Sequence, residues 1–174
     1  LKDKGFTVFI DAEHFYDGFK DNSEYAFQCL ESASKAGVDM LVLCDTNGGT
    51  LPDEAFNITS GVVNNVNIPV GVHFHNDSGV AVANSLCSVR AGAVSVQGTI
   101  NGYGERCGNC DLISFLPSAI LKMGYTCSSA DVLPHISEVS RFVSEICNLP
   151  QDESRPYVGG NAFAHKGGIH VSAL

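Results

Sequence analysis

Two histidines stand two residues apart, His73 and His75, in an apolar run, and Asn76 and Asp77 follow at once. In a β-strand, residues i and i+2 project from the same face, so both imidazoles leave the chain side by side. Two such imidazoles at a strand end are a donor set for a divalent metal, although a single histidine there serves equally well as a hydrogen-bonded structural residue. Three further polar clusters accompany them: Asp11-Ala12-Glu13-His14, Asp45-Thr46-Asn47, and the loop ending Gly104-Glu105-Arg106-Cys107-Gly108-Asn109. In parallel α/β folds, chemistry collects at the C-terminal ends of strands and in the loops after them.

The elements around these clusters follow from the apolar pattern. Phe6–Ile10, Met40–Leu43, Val70–Phe74 and Val94–Val96 are short, mainly apolar runs, and each leads into one polar cluster. Between them lie helical patterns: 23–36 with Phe27, Leu30 and Ala33 on one face, a segment opened by Thr50-Leu51-Pro52-Asp53 with Ile58 and Val62 as its stripe, and 79–91 with Val82, Leu86 and Val89 aligned. Gly37 and Gly92 stand where the first and third of these should stop. A Gly-rich loop over 98–108 then leads to a helix at about 112–123. Near-continuous apolar strands that alternate with helices predict a parallel sheet covered on both faces, with about four βα units.

From residue 127 the character changes. A helix is expected from Ser128, with Val132, Ile136, Val139, Val143 and Ile146 as its stripe, then a loop and the stretch "NAFAHKGGIHVSAL". The predicted architecture is α/β: the C-terminal half of a (β/α)₈ TIM barrel over 1–126, followed by the start of a small helical subdomain over 127–174. The opening residues carry no leader pattern and read as cut from a longer chain.

Composition narrows the partners. With 174 residues, 44% of them hydrophobic, the chain has enough apolar material for one ordinary core. A net charge of −9 with ten Lys and Arg disfavours phosphate-backbone binding, so no nucleic acid is expected. No run of about 18 apolar residues is present to span a membrane. The seven cysteines lie mostly inside apolar segments, as reduced thiols of a cytoplasmic protein do. Cys107 and Cys110 form a C-x-x-C without a second pair at zinc-ribbon spacing.

"HFHNDSGVAVANS" and "NGYGERCGNCDL" together resemble the signature of the acyltransferases that condense acetyl-CoA with a 2-oxo acid, the 2-isopropylmalate, homocitrate and citramalate synthases. "DTNGGTLP" and "AFAHKGGIHVSAL" look most like the citramalate-forming branch, and the likeness runs from Phe9 to Leu174. It implies a divalent metal (magnesium, manganese or zinc) held by His73, His75 and Asn109 together with an Asp of the barrel's first strand. It also implies Thr46 as a hydrogen-bond partner of the substrate carboxylate. His170 is implied as the base that deprotonates the methyl of acetyl-CoA in a partner subunit of a homodimer, with Glu13 in support and His165 as the runner-up. The family's Arg-Asp-Gly motif is absent from these 174 residues, so the Asp ligand and the Arg have no match here. Asp77 is expected to orient an imidazole.

The implied chemistry is metal-assisted condensation and thioester hydrolysis in branched-chain amino-acid biosynthesis, with these residues alone inactive. The glycines of the 98–108 loop open no helix in a G-x-G-x-x-G pattern and are expected to position Asn109. Other readings stay open: Glu13 as a cap of the following helix, Thr46 as a turn residue, a larger 2-oxo acid, a hydroxymethylglutaryl-CoA-lyase-like barrel, or a non-catalytic module.

Overall fold

The computed structural model describes residues 1–127 and 130–164. The chain divides into two compact units, Leu1–Asp111 and Leu112–Leu174. In the first, β1 (Phe9–Ala12), β2 (Met40–Asp45), β3 (Val70–Phe74) and β4 (Ser95–Gln97) form one sheet in the order β1-β2-β3-β4, every pair parallel. Parallel neighbours in chain order need a crossover each. The helices α1 (Phe15–Asp21), α2 (Ser23–Lys35), α3 (Pro52–Val63) and α4 (Ala81–Arg90) supply them.

The inner strands explain their own composition. Leu41, Val42 and Leu43 of β2 and Val70, Val72 and Phe74 of β3 are all at most 3% exposed, because side chains on both faces of these strands are covered. The register sets Cys44 beside His73 and His73 beside Gln97. Gln97 Nε2 also donates to Asp11 Oδ1 at 3.1 Å, joining β4 to β1 across two intervening strands. In a flat sheet, three spacings of about 4.8 Å would hold those strands roughly 14 Å apart, beyond the reach of the two side chains. The sheet therefore curls, and its outer strands lean together over the face that carries His73.

Several expectations need correction. The run Phe6–Ile10 enters the sheet only at Phe9, and Phe9 and Ile10 are 52% and 36% exposed, since among the described residues β1 is an edge strand with no neighbour on its outer side. The seven-residue helix α1 follows at once from His14, whose φ of 55° turns the chain out of the strand. Thr50 does not cap α3. The residue ahead of the helix is Leu51, whose amide donates to Glu54 Oε2 at 2.9 Å, while the Thr50 amide donates to Asp45 Oδ2 at 3.1 Å.

The inward face of α4 is Ala81, Asn84, Ser85 and Ser88, and the expected stripe of Val82, Leu86 and Val89 is only partly covered. Small residues let α4 approach closely, and most of their polar atoms are paired, the buried Asn84 Oδ1 being the exception among the described residues. Ser85 Oγ donates to the Ala81 carbonyl at 2.8 Å and Asn84 Nδ2 to the Thr50 carbonyl at 2.7 Å. Ser88, Thr59 and Tyr16 form a hydroxyl chain with links of 3.1 and 2.8 Å. Tyr16 is fully covered, and burial pushes its phenol far above the usual range.

In the second unit, α5 (Leu112–Pro117) runs into a π-type turn, Ser118–Lys122, so the helix expected at 112–123 changes pitch after Pro117, which has no amide to donate. The helix expected from Ser128 begins only at Ile136. A 3₁₀ segment, Ala130–His135, precedes α6 (Ile136–Ile146) and contains Pro134. Ile136, Ser140 and Ser144 are the buried residues of α6, while Ile146 is 67% exposed. Among the described residues, no helix is long and apolar enough to cross a membrane.

Candidate active site

His73 and His75 leave the end of β3 with ring centroids 5.1 Å apart. The His73 ring is held at both nitrogens: Nδ1 is 2.9 Å from Gln97 Oε1 and Nε2 is 3.1 Å from Asn109 Nδ2. His75 is 8% exposed, and its buried Nδ1 has no hydrogen-bond partner among the described residues. Burial, then the neighbouring His73 and Arg106, hold the His75 pKa below that of a free imidazole. The neutral ring so favoured is the form that ligates metals.

This shift has a consequence for stability. A group whose pKa is depressed by folding contributes stability that is complete above the unfolded value, about 6.5, and is lost as pH falls below it. Thermal unfolding of metal-free protein is expected to show a larger drop in Tm between about pH 7.5 and about pH 5.5 for the wild type than for His75→Gln. Equal drops would remove His75 from the pH response.

The loop after β4 is strapped to the end of β3. Asn76 N donates to the Gly108 carbonyl at 2.9 Å, Cys110 N to the Phe74 carbonyl at 3.0 Å, and His75 pairs with Asn109 in an isolated antiparallel bridge. Two glycines make the strap possible. Gly108 has φ +91°, and a Cβ there would lie 2.0 Å from the Gly102 carbonyl oxygen. A Cβ on Gly104 would lie 1.7 Å from Asn109 Oδ1, so the Asn109 amide occupies the space that a side chain at 104 would need. The expectation that this loop positions Asn109 agrees with that geometry.

A second group gathers at the ends of β1 and β2. Thr46 Oγ1 donates to Glu13 Oε2 at 2.6 Å and accepts from His14 N at 2.8 Å. No side chain caps α1, so Glu13 is not its cap, and Thr46 does more than turn the chain. Arg106 reaches across with Nε and Nη2 on the two carboxylate oxygens of Asp77, at 2.9 and 3.0 Å, and Nη2 on the Thr46 carbonyl at 2.6 Å. The guanidinium holds the Asp77 carboxyl below the usual range. This corrects the role expected of Asp77: it pairs with Arg106, and the side chains that meet the His73 imidazole are Gln97 and Asn109.

Of the residues singled out from the sequence, Glu13 is brought to Thr46, and His73 to both His75 and Asn109, all within Leu1–Asp111. His165 and His170 lie outside the described residues. Arg106 lay inside a flagged cluster without a role of its own, and Gln97 was missed, although Gln97 is the last residue of β4 and the strand-end rule that flagged the other clusters applies to it. Cys107 and Cys110 are free, and burial pushes the Cys110 thiol up to about 12, far from a reactive thiolate.

Among the described residues, no group of three or more His, Cys, Asp and Glu side chains is placed to hold a metal ion. The donors that could contribute to one are the two imidazoles and the Asn109 amide. A buried imidazole nitrogen without a protein partner and a neutral ring fit such a ligand.

A family model described as HMGL-like matches residues 12–143, most of the chain and every residue of this site from Glu13 to Asn109. The chain belongs to the HMGL-like family. Among curated relatives, an (R)-citramalate synthase of Synechocystis sp. is 50% identical over 182 residues, covering 100% of this chain and 33% of the relative. An (R)-citramalate synthase of Sulfolobus acidocaldarius is 53% identical over 175 residues, covering 100% and 34%. The chain thus spans about a third of the length of the curated relatives it matches. The crystal structure of a Bacillus subtilis HMG-CoA lyase shares the fold, with a TM-score of 0.63 at 20% identity over 73% of this chain and 44% of that one.

Proposed function

We propose that the chain is the C-terminal half of the TIM-barrel catalytic domain of a cytoplasmic (R)-citramalate synthase, with residues from 127 onward as the start of a helical subdomain. In the complete protein it condenses acetyl-CoA with pyruvate. The observation that carries this reading is the likeness, 50% or more over the whole chain, to relatives named (R)-citramalate synthase. The four-stranded parallel sheet, curled with its polar clusters at the C-terminal strand ends, supports half of a barrel and the place of its site.

In this reading His73, His75 and Asn109 hold a divalent cation (magnesium, manganese or zinc), together with an Asp outside these residues. When bound, the cation supplies Lewis acidity toward the ketone of the 2-oxo acid. Thr46 binds the substrate carboxylate by exchanging its hydrogen bond to Glu13 for one to the substrate. Glu13, released from Thr46, supports the base that takes a proton from the acetyl methyl group, and His170 of a partner subunit in a homodimer is that base. The carbanion equivalent adds to the ketone carbon, and water then cleaves the thioester and frees CoA. Arg106, pinned between Asp77 and the Thr46 carbonyl, keeps the hydroxyl of Thr46 where the substrate arrives.

The test is thiol release from acetyl-CoA by the complete protein, with and without chelator, using pyruvate, 2-oxoisovalerate and 2-oxoglutarate side by side. Chelator-sensitive release with pyruvate is expected. A preference for a larger oxo acid would reassign the substrate and keep the chemistry, and no release with any of them would overturn the proposal.

A further inference from the structure

We propose that Asp11 and Gln97 act together as positioning residues that set the tautomer of His73, leaving the lone pair of the ring on Nε2. The inference rests on the reading of His73 as a metal ligand for its functional meaning. Its geometry stands on three hydrogen bonds in series: Gln97 Nε2 to Asp11 Oδ1 at 3.1 Å, His73 Nδ1 to Gln97 Oε1 at 2.9 Å, and Asn109 Nδ2 to His73 Nε2 at 3.1 Å.

The direction of the series is fixed at one end by chemistry. A carboxylate accepts hydrogen bonds and donates none, so the end of the Gln97 amide that meets Asp11 must be its NH₂ group. The amide is planar, so its oxygen is then the atom turned toward His73. An oxygen facing Nδ1 requires the proton on Nδ1, and a neutral imidazole has only one. Nε2 keeps its lone pair, and in this structure the Asn109 NH₂ group fills it.

The reverse arrangement fails at two points. Turning the Gln97 amide over places its oxygen against the Asp11 carboxylate, acceptor against acceptor. It also presents NH₂ to Nδ1, which drives the proton to Nε2 and points it at another donor, Asn109. His75 has no such series behind it, since its Nδ1 is buried without a partner. The two imidazoles are therefore unlike: one is pre-set by its neighbours and the other is not.

Residues that orient a metal-ligating histidine contribute roughly 10–100-fold to metal affinity. The experiment measures cation affinity of the complete protein by competition with a chromogenic chelator, using Zn²⁺ and Mn²⁺, beside ¹⁵N NMR of the metal-free histidines. Gln97→Leu is expected to weaken affinity by about 10–100-fold while the protein stays folded by circular dichroism. Asp11→Asn alone is expected to weaken it by roughly 10-fold, because the Gln97 amide is then free to turn over.

The decisive comparison is made in a Gln97→Glu background. Both terminal atoms of residue 97 are then oxygens, Nδ1 always finds an acceptor, and Asp11 becomes a repulsive neighbour. Asp11→Asn should now lose its weakening effect or raise affinity, a dependence on residue 97 that a packing role for Asp11 would not produce. The ¹⁵N spectrum of the wild type should show His73 protonated at Nδ1. An Nε2-protonated ring, equal effects of Asp11→Asn in both backgrounds, or a folded Gln97→Leu with wild-type affinity would each overturn the proposal. Wild-type protein that releases CoA with pyruvate while these variants bind metal normally sinks this inference alone. If the wild type takes up no cation, the ligand reading fails, and the NMR tautomer still decides the roles of Asp11 and Gln97.

Discussion

His75→Ala in the complete protein is expected to cut CoA release by about 10³-fold or more while leaving the fold intact. Lewis-acid stabilisation of a developing alkoxide is worth several kcal/mol, and each 1.4 kcal/mol or so is a factor of ten in rate. The protein loses little else, because the buried Nδ1 of His75 has no partner to strand. His73→Ala should be as damaging to turnover and harder on stability. It leaves Gln97 Oε1 and Asn109 Nδ2 without their ring, at a cost of about 1–3 kcal/mol for each group left unpaired. Turnover per folded molecule, read beside cation binding and thermal unfolding, separates the two effects. Preserved turnover per folded molecule would make both histidines structural.

The second large effect is expected from a single methyl group. Gly104→Ala places a Cβ 1.7 Å from Asn109 Oδ1 and 2.9 Å from its Cγ, and Asn109 is 7% exposed, so its amide must swing out of the site. Cation affinity should fall by about 100-fold, at the upper end of what an outer-shell change costs, because the donor itself is displaced. Gly61→Ala is the control, since a Cβ there meets nothing within 4 Å. It should bind cations as the wild type does. If Gly104→Ala behaves like Gly61→Ala, Asn109 contributes nothing to cation binding.

The parts of the fold that were legible in the sequence are those where one force dominates. β3 was predicted residue for residue because Val70–Phe74 is an inner strand whose apolar residues have no competing role. β1 was misplaced because the same signal marks any apolar run, and only pairing decides that Phe6 stays outside the sheet. The face of α4 was misjudged because hydropathy counts Asn84, Ser85 and Ser88 as outward residues. Ser85 satisfies its hydroxyl on its own helix and Ser88 on Thr59, and close helix packing favours small side chains. α1 escaped notice because seven residues entered through a left-handed histidine leave no cap and hardly two turns of periodicity.

The candidate site divides in the same way. Its clusters were legible as short motifs at strand ends, and the pairing of Asn109 with the histidines came from resemblance. What no local pattern carries is contact across the curl. Gln97 meets His73 across 24 residues and Asp11 across 86, distances along the chain that only register and curvature bring together. Asp77 was misassigned for that reason: two residues from His75 in sequence, it turns instead to Arg106, 29 residues on.

The hydrogen bonds of Thr46 and Arg106 bear on how such a protein can change. Thr46 holds Glu13 and the His14 amide of the β1 loop, while Arg106 of the β4 loop holds Asp77 of the β3 loop and the Thr46 carbonyl of the β2 loop. Four loops that are separate in sequence form one mechanical part. A graft that exchanges one of them for a foreign loop strands a partner in at least one neighbouring loop, whereas an exchange of the four as a set preserves these bonds. New specificity on this scaffold is therefore more accessible through side chains that line the substrate than through recombination of single loops.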